Sequence, residues 1–176
     1  MNKILAAWNV APGLQAQAKV LPRNGSPRWA EALCLRRPFA SEAALFTAAD
    51  EAWRALDEDA QQQAFDSHPR LGETHAKAAS TTSLAWSRGE QSDVDSDDAV
   101  RAELAEANRL YEAKFGRIFL LCASGKNAVA ILAALHQRLD ATQEAEWAEA
   151  IEQQRRITQL RLRKWLGMPP ARCEDV

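Results

Sequence analysis

The stretch FDSHPRLGE, residues 65–73, sets one of the chain's three histidines between Ser67 and Pro69. An imidazole takes or gives a proton near neutral pH, so His68 is a candidate general acid or base. It follows a helical pattern, and the partial negative charge of a helix C-terminus would favour its protonated form. The competing reading is a loop position that merely needed something polar. Further on, LAWSRG leads into Glu90 and Gln91, a carboxylate and an amide that a short Trp-containing segment would dock on the core. Arg161 falls between the directions of Ile157 and Trp165, at the margin of an apolar helix face. There it either snorkels to solvent or turns inward to grip a carboxylate. Arg155 lies near the same face, and helical position does not choose between the two.

Other signals fail on spacing. DVDSDD begins like a calcium loop, but Asp98 stands where the turn glycine belongs and Leu104 where the closing glutamate belongs. GKN at 125–127 lacks the upstream glycine of a phosphate loop, since Leu120 occupies that place, and Asn127 replaces the hydroxyl residue. His68, His75 and His136 have no zinc spacing, so a metal is not expected. The basic run QQRRITQLRLRKW spreads its charge around a helix, and the net charge is −2, which argues against a nucleic-acid partner. Three cysteines without CxxC spacing, Cys34, Cys122 and Cys173, predict free thiols in a reducing compartment. No apolar stretch approaches the ~20 residues that span a bilayer, so no membrane association is expected. The opening apolar run is broken by Asn9 and Pro12 and reads as a short first helix rather than a leader.

The elements that must position these residues are helices. With 176 residues, 47% of them apolar and 26% charged, the chain has the size and balance of one globular domain over 1–176. Residues 41–57 predict a helix capped by Ser41, with Ala49, Trp53 and Leu56 on one face. A shorter helix over about 59–67 ends ahead of Pro69. Over 97–115, Val100, Leu104, Ala107, Tyr111 and Phe115 form a helical stripe, and Gly116 stands at its C-terminal end. KNAVAILAALHQRL reads as a buried helix and 143–167 as a long final one, with Trp147, Ile151, Leu162 and Trp165 on one side and Ile157 at the edge. LPRNGSPR, residues 21–28, reads as a loop, and GEQSDVDSDD, residues 89–98, as an exposed acidic one. RIFLLCASGK is either a buried extended segment, near 118–123, or the first turns of a helix. The fold expected is an all-α, single-domain helical bundle.

In order along the chain, SPRWAEALCLRRPF (26–39), SHPRLGE (67–73), SRGEQ (87–91), NRLYEAKFGRIFLLCASGK (108–126) and the closing ILAALHQRL and RRITQLRLRKWL resemble the 2-oxo-4-hydroxy-4-carboxy-5-ureidoimidazoline (OHCU) decarboxylase family. The resemblance implies a cofactor-independent decarboxylation giving (S)-allantoin in urate degradation. It implies His68 as the catalytic histidine and Glu90 as its acidic partner. Ser87, Gln91 and Pro69 would line the substrate, and Arg161 would bind an anionic group. Phe119, Leu120, Leu121, Cys122 and Ala123 would turn backbone N–H groups toward the ligand, which suits a non-helical segment with unspent donors. The expected partners are the small-molecule substrate and a second copy of the chain, as a homodimer with one face of a C-terminal helix as its interface. The ending CEDV differs from the Ser-Lys-Leu type of many eukaryotic members, so a cytoplasmic bacterial member is expected. After Gln91 the acidic run replaces the small, helix-forming residues usual in the family, which predicts a shorter helix there.

Two alternatives make different demands. A related enzyme acting on another small ureide would keep His68 and Arg161 and differ over 84–98. A non-catalytic helical ligand-binding module would need no pairing of His68 with Glu90.

Overall fold

A computed structural model of the chain describes residues 2–69 and 98–176. Eight α-helices lie among them: α1 Lys3–Asn9, α2 Gly13–Asn24, α3 Pro27–Leu35, α4 Glu42–Arg54, α5 Glu58–Asp66, α6 Asp98–Phe115, α7 Ala128–Leu139 and α8 Gln143–Trp165. A single 3-10 turn follows at Cys173–Asp175. Side-chain caps explain where most of these helices begin. Asn2, Ser26, Ser41, Asp57, Asn127 and Thr142 each accept a hydrogen bond from an otherwise unpaired N–H of the first turn. The stripe expected on α6 is present, with Leu104, Ala107, Tyr111 and Phe115 buried and Gly116 left-handed at φ 72°. No helix among the described residues is long and apolar enough to cross a membrane.

Three expectations need correction. Residues 21–28 are not a loop: α2 runs to Asn24 with Pro22 inside it, and α3 starts at Pro27. The Pro, Gly, Asn and Ser of this stretch are helix punctuation instead. Gly25 ends α2 at φ 99°, Ser26 caps α3, and Pro27 occupies a first-turn position whose N–H is not needed. Helix α7 is one-sided rather than buried, since Ile131, Leu132 and Leu135 are in the core while Val129 is 65% exposed. On α8 Ile157 is core, not edge, and Trp147, Ile151 and Trp165 are only half-buried.

Two clusters of buried apolar side chains form. One joins α1–α5 with α8; the other lies between α6 and α7. The chain from Phe119 to Ala123 is non-helical and runs between them. Leu120 and Cys122 enter the first cluster, whereas Phe119, Leu121 and Ala123 enter the second. That alternation is the period of an extended chain, which decides between the two readings of this segment. Helix α8 is central. From Ala150 to Arg163 it has no fully exposed residue.

Candidate active site

The site begins where the C-terminal ends of α2 and α5 touch. Gly25 permits this contact twice over, through its left-handed backbone and through its missing side chain. A Cβ there would stand 2.0 Å from Ser67 Oγ and 2.6 Å from Ser67 Cβ. Ser67 in turn donates its hydroxyl to the Ala64 carbonyl at 2.7 Å, and the His68 N–H reaches the Phe65 carbonyl at 3.0 Å. The last turn of α5 is thereby closed, and His68 projects from it. Pro69, buried, follows.

The His68 side chain is 6% exposed, and its Nε2 is buried with no hydrogen-bond partner among the described residues. Burial, and then the positive charge of Arg161, hold its pKa well below the usual histidine value; Gln154 beside it works weakly in the other direction. The protonated ring expected at a helix end is therefore overturned. Exposed helix ends stabilise a cation by a fraction of a kcal/mol, which burial beside a guanidinium outweighs. His68 is neutral, with one ring nitrogen free to accept a proton.

Helix α8 forms the facing wall. Arg161 is 1% exposed, and its Nη1 lies 3.5 Å from the Pro22 carbonyl at the end of α2. The inward reading thus holds and the snorkelling one fails. Arg155 has another job: it bonds Glu152 at 2.8 Å, Asp50 at 3.2 Å and the Val176 carbonyl at 3.0 Å. Gln154 Nε2 donates to the Asn24 carbonyl at 2.9 Å, and Asn24 Nδ2 donates to Thr158 Oγ1 at 3.1 Å. Gln154 Oε1 is left buried without a partner, as His68 Nε2 is. Two such atoms on neighbouring side chains, near a buried cation, leave hydrogen bonds that a ligand could complete.

Arg23 is the residue that motif reading missed. It stands in the last turn of α2, with its guanidinium 5.4 Å from the centre of the Trp165 ring. Burial and the neighbouring Arg161 lower its pKa to about 10. Its signal was present in the sequence, because Ala16, Val20 and Arg23 recur at helical spacing on the face that is buried.

The segment 119–123 reaches the same helix one residue away. The Cys122 N–H donates to Gln153 Oε1 at 2.8 Å, so this donor is not available to a ligand, contrary to expectation. The cysteine expectation also fails. Cys122 and Cys173 are joined by a disulfide across 51 residues, and Cys34 alone is free and buried. Spacing along the chain carries no information about a pair brought together only by the fold. The structure thus gathers His68, Pro69 and Arg161 directly, with 119–123 tied to α8 beside them. Ser87, Glu90 and Gln91, like the acidic run 92–97, lie outside the described residues. Among the described residues no three His, Cys, Asp or Glu side chains cluster as a metal site would need.

Comparison with known proteins places this arrangement. Residues 11–163 match the family model for OHCU decarboxylase. The chain belongs to the OHCU decarboxylase family. It is 31% identical over 140 residues to the Haloferax volcanii 2-oxo-4-hydroxy-4-carboxy-5-ureidoimidazoline decarboxylase, covering 78% of this chain and 80% of that one. The decarboxylase of the same name from Amia calva is 33% identical over 148 residues, covering 81% and 82%. Against the Arabidopsis thaliana uric acid degradation bifunctional protein TTL the identity is 34% over 142 residues, 80% of this chain but only 44% of that protein. A crystal structure of OHCU decarboxylase in the presence of (S)-allantoin superposes with a TM-score of 0.72 at 31% identity, covering 84% of this chain and 96% of that one. An (S)-allantoin synthase structure, at 20% identity, shares the fold with a TM-score of 0.70 over 92% of this chain and 53% of its own.

Proposed function

We propose that this member of the OHCU decarboxylase family removes CO2 from OHCU to give (S)-allantoin, without a cofactor. The observation that carries the reading is a buried, neutral His68 facing a buried Arg161 in a chain of this family. The substrate's carboxylate sits on a carbon that also bears a hydroxyl and adjoins a ring C=N. When the bond to CO2 breaks, its electron pair passes into that C=N. The hydroxyl carbon becomes a carbonyl, and the carbon carrying the ureido group takes one proton on one face. Carboxylate and one proton are consumed; CO2 and allantoin leave.

The protein's tasks are to hold, to stabilise spreading charge and to move that proton. Arg161 holds an anionic group. Neutral His68 accepts the hydroxyl proton, and Glu90 is proposed as the carboxylate that shares its transfer to the final face. Ser87, Gln91 and Pro69 complete the lining in this reading. The finer parts of the proposal are one catalytic domain over 1–176, a homodimer and a cytoplasmic setting. These rest on the resemblance, and light scattering on the purified protein tests the dimer.

The reaction is tested by generating the unstable substrate in situ from urate and following circular dichroism as the protein is added. One-handed allantoin appearing well ahead of the spontaneous reaction is the expected result. A signal that grows no faster than the racemic background contradicts the proposal.

A further inference from the structure

In an extended chain the N–H and C=O of one residue point to the same edge, and those of the next residue to the opposite edge. Phe119–Ala123 therefore has two backbone edges, and the structure uses them differently. Along one, the Leu120 carbonyl accepts from Arg138 Nη1 at 2.6 Å and the Cys122 N–H donates to Gln153 Oε1 at 2.8 Å. Both groups belong to alternate residues of the segment, so they define a single edge, turned toward α7 and α8. The opposite edge carries the N–H groups of Phe119, Leu121 and Ala123. Among the described residues no hydrogen bond takes any of the three, although all three residues are at least nine-tenths buried. A buried N–H without an acceptor is costly and rare, so such groups are candidates to bond a ligand or an ordered water.

The two holding groups are themselves held. Arg138 bonds both oxygens of buried Glu146, with Nε–Oε2 at 2.8 Å, and its guanidinium lies 4.8 Å from the centre of the Phe119 ring. Gln153 is oriented by donating Nε2 to Glu149 Oε1 at 2.7 Å. Neither side chain is free to drift, so the edge they grip is set in register.

We propose that Arg138 and Gln153 are positioning residues: by gripping the Leu120 carbonyl and the Cys122 N–H they aim the N–H groups of Leu121 and Ala123 at the substrate. This rests on the functional reading above and narrows it, since Cys122 and Leu120 drop out as donors to the ligand. Donors two residues apart along an extended chain are about 6.6 Å apart. That is too wide for the two oxygens of one carboxylate. The pair must address separate acceptors, such as the ring carbonyl and the ureido carbonyl of a small, flat ureide, leaving the anionic group to Arg161.

The direct test uses the whole wild-type protein, labelled with 15N, and (S)-allantoin as the probe. Saturating allantoin is expected to shift the amide signals of Leu121 and Ala123 downfield and to slow their hydrogen exchange, while the Cys122 amide moves little. Gln153→Met is expected to lower kcat/KM on the order of 100-fold, mainly in kcat, since displaced donors act on charge that develops during the reaction. Gln153→Glu, which keeps an acceptor for Cys122, is expected to recover most of that loss. Unmoved Leu121 and Ala123 amides in an active, allantoin-bound enzyme overturn the inference. So does a Gln153→Met enzyme within twofold of wild type, or a Gln153→Glu enzyme as poor as Gln153→Met. A wild-type protein that fails to accelerate the decarboxylation at all sinks the functional reading instead, which separates the two failures.

Discussion

Around Glu146, helix α8 buries an ion pair whose hydrogen bonds are made; around Arg161, the same helix borders polar atoms whose hydrogen bonds are not. In the first region the Arg138 guanidinium is paired with Glu146, the Tyr111 hydroxyl donates to that carboxylate, and the spare Arg138 Nη1 takes the Leu120 carbonyl. Burial and then the Glu146 contact push the Tyr111 phenol up, so it stays a neutral donor. In the second region Arg23 and Arg161 are neighbours of like sign, and His68 Nε2 and Gln154 Oε1 are buried without partners. A satisfied buried ion pair rigidifies a fold, whereas buried polar atoms left without a partner, as His68 Nε2 and Gln154 Oε1 are, mark a place that a ligand could fill.

The comparison can be broken at either end. Glu146→Leu removes one partner of a buried pair and leaves Arg138 uncompensated. It is expected to cost about 3–5 kcal/mol of stability, read as a large drop in the denaturant midpoint. An unchanged midpoint would mean that the pair is not the anchor described. A smaller structural effect is expected at Gly25→Ala, where the added Cβ would meet Ser67 Oγ and the left-handed backbone would be strained. About 2–4 kcal/mol is expected from strain plus overpacking, together with reduced activity because Ser67 precedes His68. Full activity and stability in this variant would show that the α2–α5 contact does not place the histidine.

The smallest effect is in pH. His68 has a depressed pKa in the folded state, so folding binds fewer protons there than the unfolded chain does. Its contribution to stability is intact above the unfolded value of about 6.5 and is lost as pH falls below it, at no more than about 1.4 kcal/mol per pH unit. Thermal midpoints measured between pH 7 and pH 5, on wild type and on His68→Leu, should show a shallower acid slope in the variant. Equal slopes would mean that His68 is not the buried neutral group described.

Helices were legible wherever a cap and a stripe coincided, as at Ser41 for α4 and along Leu104–Phe115 in α6. The same local signals misled at 21–28, because Pro, Gly and Ser serve a helix end as readily as a loop. His68 and Arg161 could be singled out by type and position. Their proximity could not, because it depends on Gly25 letting two helix ends touch. Arg23 was hidden by its charge, although its spacing with Ala16 and Val20 pointed inward. The Cys122–Cys173 pair left no local trace, and the alternation of Phe119–Ala123 between two cores becomes readable only once both cores exist.

The central claim is that the polar cluster around His68 serves the reaction and not the fold. The most direct test is to measure kcat/KM for formation of one-handed allantoin and the thermal midpoint together on His68→Leu. The account predicts a fall in activity of about 100-fold or more with a midpoint equal to or above that of wild type. An active variant, or one whose midpoint falls by several degrees while each folded molecule keeps its activity, would contradict it.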